Sequence, residues 1–407
     1  MRLLILAVIL LAMLADAYAQ PADSSAADDP WRVSVLTMLP GDQVYSRFGH
    51  SAFRVQNRVT GEDLVFNYGT FSFQDPLFVP KFVYGRLDYM LSVERMSRTV
   101  VEYERYFRRS MIEQHLNLTP AQEADLVAFL FQNAQPENRT YRYDFIFDNC
   151  ATRLPLALNR TLGEAVAWGD AHNPGLSFRD LLDLYVADAS WLNLGFDLIL
   201  GQPTDRTATP EEVTFLPLYL RDALASATIT DGASRQPLVA ATDTLIWFTD
   251  AYEAPPQAFP WPTLLITLLT LVPIGLTVVA LRQPGYAVTR RWPDVTLFAV
   301  IGVLGLFFAF MWFGTLHGVT GQNWNLMWLL PLHVFTAWLV GRASPPAWTA
   351  TYLRVLGAWH LLVVPLFFVV PQDLPWIALP ITVLLALRCW ALSKRQRDRA
   401  PYPQPPG

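Results

Sequence analysis

Five apolar runs crowd the last third of this chain, and they constrain it more than any other feature. They are Trp261 to Leu281, Val295 to Phe313, Leu326 to Gly341, Leu353 to Val370 and Trp376 to Leu392. A polypeptide in hydrocarbon must satisfy every backbone N–H and C=O internally, so runs of this length and composition are expected to be helices that span a bilayer. The composition agrees, with 52% hydrophobic and only 16% charged residues, too apolar for an ordinary soluble domain. From Gln20 to Phe259 the pattern is that of a soluble domain, with dispersed charges and no apolar run of membrane length.

The start of the chain, MRLLILAVILLAMLADAYAQ, has Arg2, a short apolar core and then Ala17, Tyr18 and Ala19. That order of basic, apolar and small residues predicts a secretory signal peptide over 1–19, cleaved after Ala19, rather than an uncleaved anchor. Basic residues set the orientation, because Lys and Arg are retained on the cytoplasmic side. Arg282, Arg290 and Arg291 follow the first run, Arg342 lies between the third and fourth with Arg354 at the start of the fourth, and Lys394, Arg395, Arg397 and Arg399 follow the fifth. The loops TLHGVTGQNWN and PQDLP, after the second and fourth runs, hold no Lys or Arg. The expected organisation is therefore an exported domain at 20–259, five transmembrane helices within 260–393 and a cytoplasmic tail at 394–407. A net charge of −5, with no basic stripe bearing interleaved aromatics, points away from nucleic acid.

Of the two cysteines, Cys389 lies in the fifth run near the basic tail, so it cannot reach Cys150 on the outer side. A lone exported thiol is either a small buried hydrophobe or a reactive group. Around Cys150 the sequence reads YRYDFIFDNCATRL, in which Tyr141, Tyr143, Phe145 and Phe147 alternate as in a strand. Asn149 then caps a helix that begins at Cys150, where free N–H groups and the helix dipole favour a thiolate. Pro155 is expected to kink or restart that helix. The matching base is His50 in YSRFGHSAFRV, at the mouth of a strand-like run directly behind Gly49. A turn at Gly61 returns the chain as LVFNYGTF, and such a hairpin puts Asn67 beside His50 as a third member able to fix the imidazole tautomer. The competing reading of Asn67 is a turn residue before Gly69.

Arg153 is a candidate for steadying the thiolate or meeting a phosphate, against a solvated helix residue. His317, Asn323 and Asn325, in the cation-free loop after the second run, are candidates for binding a lipid headgroup or for bracing the exported domain, against a merely wet loop. Thr119 with Pro120, and Ser177 with Asp180, read as the starts of structural helices. His115 and His172 are isolated by sequence from any ligand-like neighbours, so a metal site is not expected.

The motifs SRFGHSAFRV, VFNYGTF and FDNCATRL, followed by a multi-span region, resemble the Lnb-type lipoprotein N-acyltransferases. The resemblance implies an α+β, circularly permuted papain-like (NlpC-type) cysteine-enzyme domain followed by an all-α five-helix membrane domain. It makes Cys150 the nucleophile and His50 its base, with a phospholipid as acyl donor and a diacylglyceryl-cysteine lipoprotein as acceptor. It also implies residence in a bacterial inner membrane, with the catalytic domain in the periplasm. Other readings of the same residues are a membrane-tethered papain-like amidase or peptidase acting on cell-wall peptides, and a non-catalytic lipid-binding sensor.

Overall fold

The computed structural model describes residues 30–71, 76–86, 88–169, 175–231, 234–248, 256–282 and 291–399. The signal peptide expected at 1–19, and the end of the tail from 400, lie outside them. The chain divides into two compact units, and the division is not linear. The first comprises 1–71, 88–172 and 214–251; the second comprises 72–87, 173–213 and 252–407. Segments 72–87 and 173–213, upstream of the expected boundary at 259/260, thus pack with the C-terminal helices.

The first unit is built on a seven-stranded antiparallel sheet. Its strands are β1 Trp31–Met38, β2 His50–Asn57, β3 Asp63–Thr70, β4 Asp88–Arg95, β5 Met111–Leu116 and β6 Thr140–Arg142. After β7 (Val166–Ala167), β8 (Thr228–Asp231) and β9 (Ser234–Pro237), which form a separate small sheet, comes β10 (Val239–Ile246). The large sheet runs β10-β5-β1-β2-β3-β4-β6. β1 is central and buried on both faces, with Val33, Val35 and Leu36 fully enclosed, as its β-branched sequence favours. Leu36, Met38, Ala52, Val65, Met96 and Met111 share one apolar cluster. Across the sheet, the Pro120–Asn133 helix packs Phe131 edge-on to Phe66 at 5.1 Å. A part-buried ion network crosses the strands: Arg54 forks onto Asp63 at 2.9 and 2.7 Å and reaches the buried Glu113 at 2.8 Å.

Thr119 caps the Pro120–Asn133 helix and Ser177 caps Phe178–Val186, both through reciprocal capping boxes. The strand expected along Tyr141 to Phe147 stops at Arg142. Asp144 turns the chain by accepting from the N–H groups of Ile146 and Phe147, both at 2.9 Å, an Asx turn that competes with the ladder. Pro155 does not break the helix at Cys150, which continues to Leu162. The capping box at its start and the burial of Leu154, Ala157 and Leu158 offset the one lost hydrogen bond.

Among the described residues of the second unit, three helices are long and apolar enough to cross a membrane: Trp261–Arg282, Trp292–Phe313 and Thr349–Leu366. The first turns Leu265, Leu268, Leu269, Val272 and Leu276 outward, an apolar exterior suited to lipid. The stretch expected as a third span is not one helix. It begins as a 3-10 turn at Trp324–Met327 and becomes α-helical only over the nine residues His333–Gly341. Pro331, which lacks an N–H, stands at the break. The last helix, Ala378–Arg399, runs past its apolar part into the basic residues. Inside this unit Arg388 forks onto Asp294 at 2.6 and 2.7 Å and donates to Thr277 at 3.0 Å, tying three helices through a paired buried charge.

Candidate active site

Local backbone chemistry places each reactive group. Gly49 has φ +83°, and a Cβ there would lie 3.1 Å from Met38 O and 3.3 Å from Pro217, so only glycine fits the turn that delivers His50. β2 opens at His50, which stands opposite Met38 on β1. The β2–β3 register ends at Phe53 opposite Phe66. One step further Asn67 falls beside Ala52, and its side chain shares the face of His50. His50 Nε2 lies 2.6 Å from Asn67 Oδ1. An amide oxygen only accepts, so Nε2 carries the proton and the other ring nitrogen is left for sulfur.

Cys150 is the first residue of its helix and remains partly exposed. Asn149 caps that helix, its Oδ1 accepting from Ala151 N–H at 2.8 Å and Thr152 N–H at 3.0 Å. The Asn149 amide donates to Phe145 O at 2.8 Å and Phe215 O at 2.9 Å, fixing the turn before Cys150. Burial opposes ionisation of the thiol. Against it, the charge of and hydrogen bond to His50, with backbone N–H groups of Ser51 and Ala151, bring the Cys150 pKa below the ordinary thiol value. His50 moves the opposite way: burial lowers it, but the Cys150 charge, the bond to Cys150 and the bond to Asn67 together raise it. The two shifts run in opposite directions, each favouring the charged form of its own group.

Sequence reasoning missed three neighbours. Arg109 is buried, donates from Nε to Leu39 O at 2.7 Å, and adds a positive charge felt by both His50 and Cys150. Gly69, with φ +93°, sits where the β3–β4 register shifts, a bulge that turns the strand beside the site. A Cβ on Gly69 would stand 3.7 Å from Cys150 Cβ, 3.9 Å from His50 Cε1 and 4.0 Å from Tyr141 Oη. Tyr141 is the third. The glycine in VFNYGTF was a visible sign of the bulge, whereas nothing local marks Arg109 or Tyr141.

The other candidates fall elsewhere. Arg153 pairs with Asp148 and lies 4.0 Å over the Tyr141 ring, so its charge is engaged beside the site. His317, Asn323 and Asn325 belong to the second unit. His317 Nε2 contacts Phe82 O at 2.9 Å. The amide of Asn323 donates to Leu198 O at 2.8 Å, and that of Asn325 to Leu198 O at 3.1 Å. Both asparagines are buried. Their amide donors are thus engaged by a backbone carbonyl of the same unit. Among the described residues no cluster of His, Cys, Asp or Glu suited to a metal occurs.

A cysteine at a helix N-terminus, an imidazole on a strand and an amide behind that imidazole stand together in the first unit, in a chain whose C-terminal part is helical and apolar. The chain belongs to the Lnb family: residues 19–182 match the Lnb N-terminal periplasmic domain and residues 255–397 the Lnb transmembrane domain. No curated protein and no solved structure matches it. Family membership makes it a membrane protein with a periplasmic domain and points to a lipoprotein-modifying enzyme.

Proposed function

We propose that the protein is a lipoprotein N-acyltransferase of the bacterial inner membrane, working through a Cys150 thioester in a permuted papain-like domain. His50 precedes Cys150 in the chain, from a strand rather than after the nucleophile helix, as the permuted order requires. The observation that carries the reading is the 2.6 Å contact between His50 Nε2 and Asn67 Oδ1, which leaves the other imidazole nitrogen for Cys150.

In the forward half-reaction the Cys150 thiolate attacks the carbonyl carbon of a phospholipid acyl ester. The ester C–O bond breaks, and the leaving alkoxide takes the proton from the His50 imidazolium, giving a lysophospholipid and a thioester. In the second half the free amine of a diacylglyceryl-cysteine lipoprotein attacks the thioester, His50 removes the amine proton, and the C–S bond breaks. No metal or soluble cofactor enters these steps.

With the five apolar runs read as five passes and the last helix ending in the basic tail, residues 20–259 lie on the outer side, where both lipid-anchored substrates are found. An enzyme there need not draw an acyl chain into water, at about 0.8 kcal/mol per methylene. Intact-mass spectrometry of the protein after exposure to phospholipid tests this reading. An adduct of one acyl chain on Cys150, discharged by a diacylated lipopeptide that gains the same mass, is the expected result. Cleavage of peptidoglycan fragments without that adduct would replace it with the amidase reading.

A further inference from the structure

Tyr141, on β6, is only 9% exposed, yet its hydroxyl has no hydrogen-bond partner among the described residues. Its neighbour Tyr68 shows the usual solution, with its hydroxyl donating to Asn133 Oδ1 at 3.0 Å. An unsatisfied buried hydroxyl costs about 1–3 kcal/mol, a cost phenylalanine would avoid. The ring itself is held, with the Arg153 guanidinium 4.0 Å above it and Tyr68 edge-on at 6.1 Å. The hydroxyl is therefore fixed in place without a structural bond to make.

The space it borders is the one left by the missing side chain of Gly69. The position a Cβ would take there has as its nearest neighbours Cys150 Cβ at 3.7 Å, His50 Cε1 at 3.9 Å and Tyr141 Oη at 4.0 Å. An idle donor, the nucleophile and its base thus converge on one small opening. Burial also pushes the Tyr141 phenol well up, so it remains a neutral donor wherever Cys150 is ionised.

We propose that the Tyr141 hydroxyl donates a hydrogen bond to the acyl carbonyl oxygen as Cys150 adds to it, and so stabilises the tetrahedral oxyanion. The inference rests on the thiol acyl-transfer reading above. As the S–C bond forms, the carbonyl π pair moves onto oxygen, and Tyr141 keeps its proton while donating to it. On collapse the C=O bond re-forms and the leaving alkoxide takes its proton from His50.

The test compares wild type with Tyr141→Phe, which deletes one oxygen and keeps the ring. Two rates are followed: acylation of Cys150 by a p-nitrophenyl ester, and alkylation of Cys150 by iodoacetamide. Alkylation builds no oxyanion, so it reports the thiolate and the fold alone. Loss of one oxyanion donor lowers acylation by about 10²–10³-fold. The expected result is that loss with alkylation unchanged. Equal acylation by both proteins, or a parallel fall in both rates, overturns the proposal. Phospholipid as donor is run alongside: wild type acylated by the p-nitrophenyl ester but not by phospholipid would remove the lipid-donor reading and leave the Tyr141 comparison intact.

Discussion

Asn67 Oδ1 meets His50 Nε2 at 2.6 Å, joining two strands of one hairpin through their side chains. Because the amide oxygen can only accept, Asn67 selects the tautomer whose free nitrogen faces Cys150. Replacing Asn67 with Ala frees the ring to turn, and a fall in acylation of about 10²-fold is expected, the lower end of the range carried by positioned acid–base groups. Asn67→Asp retains an acceptor and should keep more activity than Asn67→Ala. Steady-state acyl transfer with both variants checks the order.

The opposed pKa changes of Cys150 and His50 predict a thiol that reacts below the usual cysteine range. With His50→Ala, burial of the thiol is no longer opposed by the imidazolium, so the Cys150 pKa rises. Iodoacetamide alkylation followed against pH should show its midpoint moving upward. The rate at neutral pH falls with the thiolate fraction, by roughly an order of magnitude. An unchanged midpoint would mean the two groups do not interact.

Gly69→Ala should harm both stability and reaction. Its positive φ costs an L-residue roughly 1–2 kcal/mol, and the new methyl would occupy the opening beside Cys150. Chemical denaturation reads the first effect, and acylation by esters of increasing bulk reads the second, with the largest loss for the bulkiest acyl group.

Arg54 stands 2.8 Å from Glu113, whose side chain is 1% exposed, while the His115 ring lies 3.9 Å from the same carboxylate. Arg54→Ala leaves that carboxylate largely uncompensated, and breaking a buried pair in this way costs about 3–5 kcal/mol. Adding Glu113→Gln should recover part of the loss, which a double-mutant cycle by denaturation measures.

In the second unit, burial, and after it the charge of Asp197, raise Asp183 to about 7 despite Arg179. A carboxyl with a raised folded pKa holds its proton where the unfolded chain has lost it. Stability therefore falls as pH rises from the ordinary carboxylate range to about 7, and levels off above. Asp183→Asn removes that penalty. Its Tm advantage over wild type should be small near about pH 5 and larger near about pH 8 in thermal scans.

How much of this was legible in the sequence differs from residue to residue. Asn149, Thr119 and Ser177 act through neighbours within three positions, so their caps could be read directly, and the His50–Asn67 hairpin followed from one turn at Gly61. Tyr141 and Arg109 reach the site through strand pairing and long-range packing, which local pattern does not carry. The extended reading of Tyr141 to Phe147 failed because the Asp144 side chain takes two N–H groups from the ladder. The third apolar run was composed like a span, yet Pro331 and the Asn323–Asn325 turn decide its backbone. The linear boundary at 259/260 could not reveal that segments 72–87 and 173–213 belong with the C-terminal helices.

That last packing has no slack. A Cβ on Gly201 would lie 1.9 Å from Gly321 O, and one on Gly85 would lie 3.0 Å from His317 N, so these backbones press together where no side chain fits. Anyone grafting the periplasmic region of a relative onto this membrane region by cutting once, at the end of the soluble sequence, would import two strangers into a tightly fitted seam. A workable graft exchanges discontinuous pieces and leaves those two segments with their native helices.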